Sequence, residues 1–76
     1  MTELLEFLVK ALVEDPEAVV IEEFEEDGDL VYEVTVAEED LGRVIGKRGR
    51  VANAIRTIAK AAAVRLDRRV VVEILD

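Results

Sequence analysis

The chain has 76 residues, of which 51% are hydrophobic and 37% charged, with a formal net charge of −8. That length holds one domain with a thin core, residues 1–76 as a single unit. Cysteine, histidine and serine are absent, which excludes an ordinary zinc site, a thiol nucleophile and an imidazole base, so neither an enzyme nor a cofactor is expected.

In chain order, residues 3–13 read as a helix, because Leu4, Leu5, Leu8, Val9 and Leu12 form one apolar stripe. Thr2 is its expected N-cap, and Asp15-Pro16 ends it, since proline pushes the preceding residue away from helical geometry. Residues 18–25 read as a strand with imperfect alternation. Asp27-Gly28 then signals a hairpin, both residue types tolerating the positive φ of a tight turn. Residues 30–36 alternate cleanly, with Leu30, Tyr32, Val34 and Val36 on one face and Val31, Glu33 and Thr35 on the other.

Residues 38–45 are expected to form a short helix, with Glu38, Glu39 and Asp40 complementing its dipole. Gly42 inside it costs about 1 kcal/mol against alanine, which a close backbone approach would explain. After Gly46-Lys47-Arg48-Gly49 a longer helix runs from about Arg50 to Leu66. Val51, Ile55, Ile58, Ala59 and Ala62 are its expected core stripe, while Asn53, Arg56 and Lys60 share another face. Residues 69–75 close the chain as a strand. The order α-β-β-α-α-β implies an α+β fold, a three-stranded sheet with three helices on one face.

The net charge conceals a segregation. Residues 1–42 hold 15 acids and one base, a formal −14, whereas residues 43–76 hold nine bases and three acids, a formal +6. An anionic ligand responds to the local field, and the basic half begins at the glycine loop.

A GxxG tetrad arises by chance in a chain of this length about one time in three, so the motif alone says little. Its setting says more. The loop opens a helix, whose unsatisfied N–H groups and positive dipole end favour an anion. Gly46 and Gly49 lack a Cβ, which admits a sugar-phosphate backbone close to the peptide. Lys47 and Arg48 lie between them, with Arg43 before and Arg50 after. Val44 and Ile45 precede the loop and Val51 and Ile55 follow, an apolar floor for unstacked bases, with most of these residues also expected in the core.

With its element order, the segment Val44-Ile45-Gly46-Lys47-Arg48-Gly49-Arg50 resembles the KH family in its type II arrangement. The opening helix, the Asp15-Pro16 break, Val36 to Arg43, Ala54 to Ala63 and Arg69 to Ile74 extend the likeness to the stand-alone bacterial KhpA-type proteins. That resemblance implies a cytoplasmic protein that binds single-stranded RNA, an RNA chaperone or post-transcriptional regulator linked to cell elongation and peptidoglycan homeostasis. It implies action as a homodimer or with a larger Jag-type KH partner. By position, Gly46 through Gly49 would be the phosphate clamp and Val44, Ile45, Val51 and Ile55 the groove lining, with Val70 or Val72 contributing. The alternative function is a protein–protein adaptor or dimerisation module, suggested by the acidity and the alanine-rich segment Ala59–Ala63. The opening Met-Thr-Glu-Leu-Leu-Glu carries acid where a secretory signal carries base, and no apolar run reaches membrane length, so a cytoplasmic address is expected and no membrane partner.

Overall fold

The structure, a computed structural model, describes residues 1–75. Helix α1 spans Thr2–Lys10 and buries Leu5 and Val9. It stops short of the expected residue 13: Ala11 N–H still donates to Phe7 O at 3.2 Å, Leu12 N–H closes a tighter turn on Val9 O at 3.0 Å, and the chain then leaves the helix. The N–H groups of Glu14 and Asp15 donate to the two carboxylate oxygens of Asp40, each at 3.1 Å. Thr2 does not cap α1: Met1 is the N-cap, and Thr2 Oγ1 donates to Glu23 Oε1 at 3.1 Å.

A single 3-10 turn at Pro16–Ala18 delays the first strand, so β1 runs Val20–Glu26 rather than from residue 18. Asp27 and Gly28 take φ of 51° and 86°, the two successive positive values that a two-residue hairpin turn requires. Strand β2 (Asp29–Thr35) pairs antiparallel with β1, from Glu26 opposite Asp29 to Val20 opposite Thr35. The last strand, β3 (Val70–Ile74), pairs parallel with the other side of β2. The order β1-β2-β3 makes β2 central and leaves β3 with a free edge.

The inner sheet face carries Leu30, Tyr32, Val34, Val70 and Val72, all buried. The outer face is striped: Phe24, Val31 and Val71 lie opposite one another, and Glu22, Glu33 and Glu73 form the next row.

Residues Glu38–Asp40 form a 3-10 turn, and only Leu41–Ile45 form the helix proper, α2. Asp40 departs from its expected role as a solvated dipole charge and is buried. Gly42 packs against nothing: a Cβ there would meet no atom within 4 Å, so no close approach accounts for it. Helix α3 runs Arg50–Ala63, with a 3-10 turn at Val64–Leu66. Its buried stripe is Ala52, Ile55, Ala59 and Ala63, rotated from the expected one, and Ile58 is 42% exposed. Small residues on the inner stripe let the helix lie close over the sheet, where packing is as dense as in a crystal. Together α1, Val44 of α2 and α3 cover the inner sheet face in one cluster. No helix among the described residues is long and apolar enough to cross a membrane.

Candidate nucleic-acid interface

The glycine loop is a strained turn between two helices. Gly46 has φ 75° and ψ 171°, a region essentially restricted to glycine. The N–H of Gly49 donates to Gly46 O at 3.1 Å and closes the turn. Arg48 sits at φ 58° and ψ 26°, inside the left-handed region. Of the three non-glycine residues with positive φ, Asp27 and Asp67 are of a type that tolerates it; Arg48 is the long side chain. Such an outlier persists only where its surroundings impose it, and it recurs at functional loops.

Gly49 is the N-cap of α3 and no side chain caps that helix. The N–H groups of Gly49 and Arg50 are taken by Gly46 O and Lys47 O, and no side chain caps the turn that follows, so the positive end of the α3 dipole lies at the loop. Lys47, Arg48 and Arg50 are exposed around this end. The ion pairs among the described residues use Lys10, Arg43, Arg68 and Arg69 and none of the three loop cations. Three uncompensated cations thus surround an uncapped helix start on a chain of net charge −8.

Three expected site residues sit elsewhere. Arg43 pairs with Glu14 through Nη2 and with Asp40 through Nε at 3.5 Å, so its charge braces the α1–β1 connection. Val44 has no exposed surface and Ile55 is buried, so both belong to the core beneath the loop and cannot floor a groove. Val51 is half-buried against that core, and Ile45, 36% exposed, is the apolar flank open to a ligand.

A cleft of about 650 Å³ lies between α3 and the free edge of β3, with Arg56, Lys60, Val64, Arg68 and Val71 among its lining residues. Arg68 is partly engaged, by Glu25 at 3.2 Å and Gly28 O at 3.0 Å. Arg56 Nε donates to Val72 O at 3.2 Å and Nη1 to Asn53 Oδ1 at 3.3 Å. Helical spacing alone gathers Asn53, Arg56 and Lys60 on one face; that β3 is the edge strand facing them follows from sheet order, which the spacing does not encode. The cleft is polar and basic along its helical wall and apolar at Val64 and Val71, a surface suited to a backbone on one side and unstacked bases on the other.

A helix–GxxG–helix unit on a sheet of this order defines the KH class of nucleic-acid-binding domains. A family model described as KhpA/KhpB, KH domain, matches residues 2–74. The chain belongs to this family. It is 49% identical over 75 residues to RNA-binding protein KhpA of Caldanaerobacter subterraneus subsp. tengcongensis, covering 99% of this chain and 100% of that protein. It is 51% identical over 75 residues to RNA-binding protein KhpA of Clostridium acetobutylicum, with the same coverage, and 47% identical over 76 residues to that of Listeria monocytogenes, covering all of both. Among solved structures, Era in complex with MgGDPNP and nucleotides 1506–1542 of 16S ribosomal RNA is similar with a TM-score of 0.66 at 25% identity, over 96% of this chain and 28% of Era. Aquifex aeolicus Era bound to GDP and aluminium fluoride gives the same values.

Proposed function

We propose that the chain binds single-stranded RNA, clamping phosphates at Gly46-Lys47-Arg48-Gly49 and laying bases along the cleft between α3 and β3. The observation that carries this reading is the set of unpaired cations, Lys47, Arg48 and Arg50, around the uncapped start of α3. The relatives named RNA-binding protein over their full length support it. Its cellular role in this reading is that of a cytoplasmic RNA chaperone or post-transcriptional regulator. A groove of this class holds about four nucleotides, so one copy binds weakly and largely without sequence preference through the clamp itself. Titration of a labelled oligonucleotide across a salt series tests it: three engaged phosphates give a log–log slope near −2. A flat salt dependence argues against the clamp.

A second reading, compatible with the first, is dimerisation or docking on a larger Jag-type KH partner. It is favoured by the outer face of α3, where Ala54, Ile58 and Ala61 are exposed. A dimer gains avidity by presenting two clamps to one strand. Sedimentation equilibrium tests the homodimer form, and a strict monomer at high concentration removes it.

A further inference from the structure

We infer that Lys60 holds a further phosphate of the bound strand, at the far end of α3 from the glycine loop, so that the strand is gripped at both ends of the helix. The inference rests on the RNA-binding reading above and adds a contact beyond the clamp.

Charge placement along α3 carries it. Residues 43–66 contain no acid, in a chain that holds 18. Of the cations in that stretch, Arg43 alone takes part in an ion pair among the described residues. Arg56 and Lys60 therefore stand one turn apart with like charges and no acid beside them on the helix, an arrangement that by itself opposes helix stability. Both line the cleft between α3 and β3. An anion lying along this face offsets their repulsion.

The two cations are not equivalent. Arg56 is tied down, through Nε to Val72 O at 3.2 Å and through Nη1 to Asn53 Oδ1 at 3.3 Å. Both acceptors are neutral, so its charge stays uncompensated while its position is fixed. Lys60 is exposed. Its ammonium is a point charge on a flexible stem, suited to a phosphate. Farther along, the lining continues with Asp67, Arg68 and Arg69. Asp67 is the one acid in that lining. Arg68 is paired with Glu25, whereas Arg69 reaches Asp29 only at 3.8 Å and is 77% exposed, so the balance around Lys60 stays positive.

Spacing sets how the second contact is reached. Arg50 and Lys60 are about 15 Å apart along the helix axis. A tetranucleotide has three internal phosphates, which Lys47, Arg48 and Arg50 occupy in the clamp. A strand that also reaches Lys60 is longer.

The test is a heteronuclear NMR titration of the isotope-labelled full chain with oligouridine of four and of eight nucleotides, lacking terminal phosphates, across a salt series. The same spectra report the fold of each variant. Lys60→Gln should weaken octamer binding about fivefold at about 0.1 M salt and flatten its log–log salt slope by about 0.7, the share of one phosphate. Its tetramer affinity should stay within about twofold of the wild type, since the clamp uses every phosphate of that strand. Lys60→Arg keeps the charge and should bind the octamer like the wild type. Arg65→Gln removes one charge from an exposed arginine outside the cleft lining and should leave both affinities within about twofold. An unchanged octamer slope in Lys60→Gln, an equal loss for tetramer and octamer, or an equal loss in Arg65→Gln overturns the inference and leaves the loop clamp standing. A wild-type chain that binds neither oligonucleotide overturns the RNA-binding reading and this inference with it. If Lys60→Gln does not fold, Lys60→Met is read in its place against the same outcomes.

Discussion

Gly46 lies directly against Val51. A Cβ built on Gly46 would come within 2.8 Å of both the Cβ and the backbone nitrogen of Val51, and closer still to its Cγ2. The first glycine of the loop thus packs directly on the first turn of the helix that the loop opens. Gly49 differs: its φ is also 75°, but a Cβ there meets nothing within 4 Å.

The two glycines should respond unequally. Gly46→Ala combines backbone strain with a clash and should destabilise the domain by more than about 2 kcal/mol, weakening RNA binding as the loop is displaced. Gly49→Ala carries only the left-handed penalty of about 1–2 kcal/mol and should leave the loop in place. Urea denaturation midpoints of the two variants check the order, and equal losses would contradict it.

Asp40 is the strut behind the loop. Its buried carboxylate accepts the N–H groups of Glu14 and Asp15 and faces Arg43, joining the α1–β1 connection to α2. Asp40→Ala leaves two backbone donors without their acceptor and should cost about 2–4 kcal/mol. The exposed partner of the same arginine, Glu14, should cost well under about 1 kcal/mol on change to Gln. Chemical denaturation of both variants at neutral pH measures the contrast.

The phenol of Tyr32 is pushed up from its ordinary 10.0 to about 12, chiefly by burial and further by the hydrogen bond and charge of Glu23 opposite it. The folded state therefore favours the neutral phenol more than the unfolded chain does. That contribution is complete below pH 10 and is lost as the pH rises towards 12. Denaturation midpoints followed from pH 8 to pH 12, beyond the unfolded phenol's value, should fall more steeply for the wild type than for Tyr32→Phe. Parallel curves would show that the phenol does not titrate differently in the two states.

Much of this was legible in the sequence because the signals were local. The alternation over residues 30–36 marks the central strand, Asp27-Gly28 marks the hairpin, and the loop at 46–49 marks the helix junction. What was not legible depends on partners distant in sequence. The chain beyond α1 is tied down by Asp40, 26 residues beyond Glu14, whose N–H it accepts. Arg43 looked like a phosphate contact by its place beside the loop, yet Glu14 and Asp40 hold it. The core stripe of α3 was misplaced because Ile58 is apolar but faces out, while Ala52 and Ala63, smaller and less conspicuous, face in. Arg56 stood out only as a face-mate of Asn53 and Lys60, and its bond to Val72 O depends on a sheet order that no local pattern encodes.

The central claim is that the exposed cations of the loop hold the RNA backbone. The most direct measurement is the affinity of the Lys47→Asp, Arg48→Asp double variant for a single-stranded RNA oligonucleotide, read by fluorescence anisotropy beside a thermal melt of the same sample. Both side chains are exposed and neither takes part in an ion pair among the described residues, so the melting temperature should stay close to that of the wild type. The account predicts loss of detectable RNA binding with the fold intact. Wild-type affinity in a folded double variant would contradict it.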